Sequence, residues 1–295
     1  MATTTWPITG PYDLAEVAHM RSGFNEQRSF DGVLRFAFCL DGTLEDPVAV
    51  AVTQEGDTVR IEYTTRPGAS VDPDAVARQV ARIVSADHDG DAWARVCAGD
   101  PVLARLREAA PGFRPWVFHS PYEAAVWCTL SARRARAQGI TLWRRLCDAH
   151  GTTLEVDGAT RSALPTPSQL RQVEALPGLP ADRIPRLHAI ADAAAAGDLD
   201  VGRLAAMDPG EAMLELQRLP GIGPFYSALI VVRACGHADV LSLDEPMTRG
   251  VVRELYGLDA EPDDAALEAL AEAWRPFRTW ACVALRAVSP RLAER

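Results

Sequence analysis

The sequence predicts an α+β protein: a small antiparallel-sheet N-terminal domain over residues 1–112, then a mostly α-helical region over residues 113–295 built around a helix-hairpin-helix. Three observations carry this. Short apolar stretches separated by turn residues fill the chain up to Pro111, and helical spacing dominates from Phe113 onward. Leu219-Pro220-Gly221-Ile222-Gly223 then interrupts two helical patterns with residues that cannot continue a helix.

Taken in order, residues 11–20 have helical spacing, whereas residues 33–39, 48–53 and 58–64 alternate or run apolar with turn residues between them. Residues 72–85 return to helical spacing. An antiparallel sheet with helices on one face is the simplest packing of these elements. Beyond Phe113 the pattern is helical except near residues 151–167 and 197–200; the first of these lacks a charged or aromatic cluster around 160–167 and reads as a connector. No internal repeat is evident.

Composition narrows the class. The chain has 295 residues, 48% of them hydrophobic, enough for one large core or two to three smaller ones. No apolar run reaches the length of a membrane span, and no basic-then-apolar secretory pattern opens the chain, so a cytoplasmic monomer without membrane contact is expected. The six cysteines are scattered without a CxxC pair, which fits reduced, buried thiols and disfavours an iron–sulfur cluster, whose four thiolates are closely spaced. A net charge of −10 opposes nucleic-acid binding overall. One basic island stands against it: Arg114, Arg133, Arg134, Arg136, Arg144 and Arg145 occur with Glu123 as the single acid between residues 113 and 147. Such an island can bind phosphate locally or form a solvated helix face.

The hairpin is the strongest motif. Residues 211–218 offer Met213, Leu214 and Leu216 to one buried face, Pro220 and Gly221 end that helix, Gly223 allows positive φ, and Pro224 suits the first turn of a helix through residues 225–233. Glycines here let backbone N–H groups at the new helix's N-terminus approach a phosphate, where the helix dipole also favours an anion. Leu219, Gly221, Ile222 and Gly223 are therefore the expected DNA-gripping residues. An ordinary αα-corner also fits this pentapeptide taken alone. About twenty residues on, Asp244 precedes a helical pattern over residues 245–255 and stands at an N-cap position. It either only caps that helix or also supplies a stabilised carboxylate facing a developing cationic sugar and a water.

The hairpin, Asp244 and the downstream Trp274-Arg-Pro-Phe-Arg-Thr-Trp-Ala281 resemble the helix-hairpin-helix DNA glycosylase superfamily, and most closely its DNA-3-methyladenine glycosylase II branch. Pro111-Gly-Phe-Arg114 with Pro121-Tyr-Glu123, and more loosely residues 178–187, extend the resemblance over most of the chain. It implies two helical subdomains with the active site between them, a duplex DNA partner, and a monofunctional glycosylase that flips an alkylated purine and hydrolyses its N-glycosidic bond with Asp244 as the catalytic acid. No cofactor is implied beyond a monovalent cation bridging hairpin carbonyls and a phosphate. Bifunctional members carry a lysine shortly after the hairpin glycines, where this chain has Phe225; it contains no lysine at all, so only the N-terminal amine could form an imine. No lyase activity is expected.

The chain departs from its relatives at Thr129-Leu-Ser-Ala-Arg-Arg-Ala135, where they commonly carry a pattern resembling Ile-Leu-Gly-Gln-Gln-x-Ser on a helix. Ala132 and Arg133 replace the glutamines, making Arg133, then Arg134, the candidate wedge into the duplex. Phe225, Tyr226, Trp280 and Trp127 are the candidates for a base pocket, because a cationic alkylated purine stacks well on aromatic faces. Relatives often have a tryptophan near Arg286. His237 reads as a loop residue, and Glu245 as a neighbouring acid able to perturb Asp244. A non-catalytic binder of alkylated DNA is the alternative.

Overall fold

The computed structural model describes residues 1–20, 30–243 and 245–293. The chain opens with β1 (Ala2–Pro7) and α1 (Leu14–His19), continues through β2 (Leu34–Cys39), β3 (Pro47–Glu55) and β4 (Thr58–Thr65), and then enters α2 (Pro73–Ile83), α3 (Gly90–Ala98) and α4 (Pro101–Ala109). A second stretch comprises α5 (Pro121–Ser131), α6 (Arg136–His150), β5 (Thr152–Val156), β6 (Ala159–Ala163), α7 (Pro167–Leu170), α8 (Ile184–Ala195), α9 (Val201–Ala206), α10 (Pro209–Leu216) and α11 (Pro224–Ala234). The last stretch is α12 (Pro246–Tyr256), α13 (Asp264–Ala271), α14 (Arg278–Val288) and α15 (Pro290–Ala293). The small antiparallel sheet followed by helices is the α+β arrangement the sequence predicts; β1 is an additional strand, built on a run of threonines.

The sheet has the order β1-β4-β3-β2, all antiparallel, with Val50 opposite Phe36 on one side and Tyr63 on the other. Its centre is covered on both faces. Val48, Val50 and Val52 of β3 point into the core made with α2, while Ala49, Ala51 and Ala37 meet Leu154, Val156 and Ala163 of the β5–β6 hairpin on the other face. Each valine so buried contributes about 1.5–3 kcal/mol relative to exposure. The segment expected to be a connector is therefore a two-stranded ribbon that closes the sheet's outer face, and the alanines opposite it are small because the ribbon lies close. Thr64 Oγ1 donates to Glu155 O, 2.7 Å away, and Arg161 Nε donates to Arg35 O at 3.1 Å, pinning it there.

Two lobes follow from the cores. One joins the sheet's inner face and α1–α4 to α12 and α14, with Trp274, Trp280 and Leu285 packed among Trp93, Leu103 and Leu106. The other is α5–α11, centred on Tyr122, Leu130, Leu146, Leu187 and Ile230. The first core thus runs across the expected boundary at residue 112 and takes its last helices from beyond residue 245. Arg114 belongs to it as well, which corrects its place in the basic island. It is fully buried and donates to the carbonyls of Thr9 (2.6 Å), Pro11 (3.0 Å), Ser85 (3.1 Å) and His88 (2.9 Å), stacked over Tyr12. A guanidinium with five donors ties four loop carbonyls together, and among the described residues only that of Thr9 has a second donor, the Gly90 N–H at 2.9 Å.

A polar seam joins the lobes. Glu123 of α5, fully buried, accepts from the Cys39 N–H at 3.1 Å and faces His119 Nδ1 at 2.9 Å. Arg82 of α2 donates to Ala234 O at the end of α11 (2.7 Å), to His119 O (2.9 Å) and to Asp41 (2.5 Å). These bonds fix α11 against the sheet lobe, and α11 carries one wall of a cleft beside the hairpin.

Candidate active site and DNA interface

The hairpin forms between α10 and α11. Gly221 adopts φ 92°, the left-handed region, and a Cβ there would lie 2.8 Å from Arg186 Nη1. Gly223, expected to need positive φ, is instead extended at φ −97°, ψ −173°, and is the N-cap of α11 with open space where a Cβ would stand. Ile222 is buried in the second core and Leu219 packs against it, so both anchor the turn from inside. No side chain caps α11, its first turn holds no acid, and Pro224 lacks an N–H. Its remaining first-turn amides are left without a side-chain cap, an arrangement suited to an anion. On α10 the buried face is Ala212 and Leu216; Leu214, read as apolar core, is 68% exposed.

Beside the hairpin lie cations that sequence reasoning did not assign. Arg186 runs along Gly221, and Arg183 donates to Thr129 O at 3.3 Å. Burial first, then the charges of Arg186 and Arg134, hold the Arg183 guanidinium below its ordinary pKa. The two come from the start of α8, within the segment that loosely resembles a helix start of the family; an arginine pair three residues apart was the available signal. Arg133 and Arg134 are not helical. α5 ends at Ser131, and Arg133 sits in the following turn, exposed and left-handed at φ 56°. Arg134 is half-buried with Nη1 on Ala132 O at 3.3 Å. The expected wedge residues therefore occupy an exposed turn near Arg183.

A cleft opens between α11 and the α12–α14 wall. It is lined by Phe225, Leu229, Arg233, Ser242, Glu245 and Arg286, among others, and its volume of about 120 Å³ well exceeds the ~10–15 Å³ that one water needs. Of the four aromatic candidates it takes Phe225, which is 50% exposed. The other three lie elsewhere, for packing reasons. Trp280 is buried among Trp93, Phe277 and His88, with ring centroids 5.0–5.8 Å away. Trp127 packs edge-on to Trp143. Tyr226, half-buried, turns toward Ser131 and the second core.

Asp244 lies outside the described residues, but its neighbours in the chain are held firmly. Leu243 O accepts from Arg249 at 3.2 Å. Glu245, rather than Asp244, is the N-cap of α12: its Oε2 accepts from the Thr248 N–H at 2.9 Å and from the Thr248 hydroxyl at 2.8 Å, while Oε1 pairs with Arg286 Nη1 at 2.8 Å. Upstream, Thr279 N donates to Ala238 O (2.9 Å), Val240 N donates to Thr279 Oγ1 (3.0 Å), and Asp239 receives Arg278 Nε and Arg275 Nη1, both at 2.9 Å. The Trp-Arg-Pro-Phe-Arg-Thr-Trp motif is thus a clamp on residues 238–240, with Trp274 Nε1 donating to Asp100 at 3.2 Å inside the first core.

Electrostatics set what the cleft can do. Burial, then the charge of Arg286, pull the Arg233 guanidinium down to about 9, and Arg233 Nη2 donates to Trp116 O. Burial pushes the Cys282 thiol up to about 12, so it stays neutral and is no nucleophile at pH 7. His237, which burial holds below the ordinary imidazole range, is not among the lining residues. Among the described residues no cluster of three or more His, Cys, Asp or Glu side chains could hold a metal, and no helix is long and apolar enough to cross a membrane.

No family model matches the chain. A probable bifunctional transcriptional activator/DNA repair enzyme AlkA of Mycobacterium tuberculosis is 28% identical over 204 residues, 68% of this chain; the chain spans 40% of that relative's length. The 3-methyladenine DNA glycosylase from Archaeoglobus fulgidus superposes with a TM-score of 0.77 at 20% identity, over 96% of both chains. An 8-oxoguanine glycosylase/lyase of Clostridium acetobutylicum follows the same fold at a TM-score of 0.60 and 16% identity, over 83% of this chain and 86% of its own. With its hairpin and its cleft, the chain is thus similar in sequence to this mycobacterial relative and shares the fold of these solved DNA glycosylases.

Proposed function

We propose that this protein is a monofunctional DNA glycosylase of the 3-methyladenine glycosylase II type, which releases alkylated purines from duplex DNA as a cytoplasmic monomer. One observation carries the reading: position 244 falls in the chain between Ser242 and Glu245, both of which line the cleft, and the opposite wall of that cleft is the second helix of the hairpin.

The steps follow from the residues. Amides at the start of α11 hold a backbone phosphate beside Gly223, assisted by Arg183 and Arg186, and a monovalent cation at the hairpin carbonyls fits the same geometry. An arginine of the 132–135 turn enters the stack as the base leaves it. The base passes Phe225 into the cleft, where Asp244 stabilises the positive charge developing on the sugar and orients water toward C1′. The C1′–N9 electron pair departs on the cationic base, which leaves neutral, the water oxygen adds to C1′, and one water proton is released to solvent, leaving an abasic site. With no lysine in the chain, no side-chain amine is available for the imine that lyase chemistry needs.

Incubation with duplexes containing 7-methylguanine or 3-methyladenine, followed by hot alkali, is expected to show breaks at the lesion, and none without alkali. Lesion binding without release across the panel would leave a non-catalytic binder and refute the enzyme reading. Borohydride during the reaction is expected to trap no adduct.

A further inference from the structure

As the base departs, positive charge moves from it onto the sugar, and the charges beside Asp244 decide how far that state is favoured. Among the described residues the charged lining of the cleft is Arg233, Arg286 and Glu245: two guanidiniums and one carboxylate. With Asp244, which the reading above places in the same cleft, carboxylates and guanidiniums are equal in number. Without Glu245 the guanidiniums outnumber the carboxylates, and Asp244 alone opposes them.

Glu245 is held where it can balance that excess. At the N-cap of α12 its Oε2 accepts from the Thr248 N–H at 2.9 Å and from the Thr248 hydroxyl at 2.8 Å, which fixes the carboxylate. Its Oε1 meets Arg286 Nη1 of α14 at 2.8 Å. Arg286 Nε donates to Cys282 O at 3.1 Å, so the guanidinium is held at a second point. Arg286 and Glu245 side chains are 26% and 18% exposed, so water screens this pair less than a surface pair. Arg286 shares the cleft face of α14 with Thr279, Cys282 and Val283, at i, i+3, i+4 and i+7 spacing. Resting on the glycosylase reading above, we infer that Glu245 is a positioning residue that acts through Arg286: it ties the guanidinium to α12 and cancels its charge, so that this cation does not offset Asp244 as the sugar becomes positive. Arg286 in turn pins α14 to α12 and is not needed by the chemistry.

The test is single-turnover release from a duplex carrying 7-methylguanine at about pH 8, where carboxylates are ionised, by the wild type, Glu245→Gln, Arg286→Met and the double variant. Glutamine keeps an acceptor for Thr248, so α12 stays capped while the charge is lost. One charge within about 4–6 Å of another shifts an ionic equilibrium by roughly 10- to 1,000-fold. The cleft admits water, so the lower part of that range applies: Glu245→Gln is expected to slow release by roughly 10- to 100-fold and to keep its affinity for an abasic duplex. Adding Arg286→Met removes the uncompensated cation and is expected to restore about 10-fold or more of that loss. A purely structural pair gives the opposite order. A double variant as slow as Glu245→Gln or slower, or a Glu245→Gln that releases base at the wild-type rate, would overturn the inference. Arg286→Met alone keeps the cap and removes the cation, so it is expected to release base faster than the wild type even where it lowers Tm. Release no faster than the wild type, with folding confirmed by circular dichroism, would also overturn the inference, and this arm decides it if Glu245→Gln fails to fold. A folded wild type that releases no base would instead remove the glycosylase reading, and this inference with it.

Discussion

Alanine at the two hairpin glycines should separate the turn's fold from its grip. At Gly221 the backbone is left-handed at φ 92° and a Cβ would meet the Arg186 side chain at 2.8 Å. An L-residue there costs about 1–2 kcal/mol, and Arg186 must also move. At about 2–4 °C per kcal/mol, Gly221→Ala is expected to lower Tm by roughly 2–8 °C. At Gly223 the backbone is extended and a Cβ meets nothing within 4 Å. Its replacement removes backbone freedom from the unfolded chain, so stability stays level or rises by about 0.4–1 kcal/mol. In the proposed grip, the open space at Gly223 is where the phosphate comes. A methyl there displaces one charge-assisted hydrogen bond from the backbone, about 1.5–3 kcal/mol, so Gly223→Ala should weaken abasic-duplex binding by roughly 10- to 100-fold with no loss of Tm. Calorimetry and fluorescence anisotropy at fixed salt measure the two effects. Equal behaviour of the variants in both assays, or tight binding by Gly223→Ala, would refute this account of the hairpin.

Other outcomes follow from the same geometry. Arg114→Leu leaves the carbonyls of Pro11, Ser85 and His88 unpaired at about 1–3 kcal/mol each and should lower urea stability by several kcal/mol; a variant that is stable but weak in DNA binding would return Arg114 to the DNA surface. Replacing Arg183 and Arg186 by alanine should reduce the slope of log K against log salt by about 0.9 for each phosphate that is no longer neutralised, measured by anisotropy titrations between low and moderate salt. Burial pushes Cys97, Cys235 and Cys282 up to about 12, whereas unfolded thiols titrate near ~8.5. The unfolded chain therefore binds fewer protons between those values, and the stability these thiols contribute is complete below ~8.5 and lost as pH rises toward 12; denaturant midpoints and thiol-reagent accessibility across that window check it. Asp244→Asn should abolish base release and keep DNA affinity, and undiminished single-turnover release would remove Asp244 from its role.

What the sequence made legible was local. The Val-Ala alternation of β3, the Pro-Gly break after α10 and Pro224 at the start of α11 are decided by neighbours a few residues away, and each forms where the pattern puts it. What stayed hidden depends on packing between distant segments. Arg114 and Arg133 look alike in an Arg-rich run, but the first is swallowed by carbonyls 26–105 residues away. Trp280 reads as a base-stacking residue because it follows the hairpin, yet Trp93 and Phe277 take its faces. Residues 152–163 give no strong strand signal because their partners are alanines on a sheet more than a hundred residues earlier. Glu245 and Asp244 compete for one N-cap, and a Thr248 hydroxyl that can donate to Glu245 decides it.

The return of the last helices to the sheet lobe bears on how the protein is made. The side chains of Trp93 and Leu103 reach their final partners only when residues 246–288 arrive. During synthesis the α5–α11 lobe can therefore complete its packing first, while α3 and α4 of the sheet lobe wait for α14 to cover them. The α12–α14 wall of the cleft is then added last, against an α11 wall already in place. A pulse of protease during translation should find α3 and α4 still cleavable after α5–α11 have become resistant.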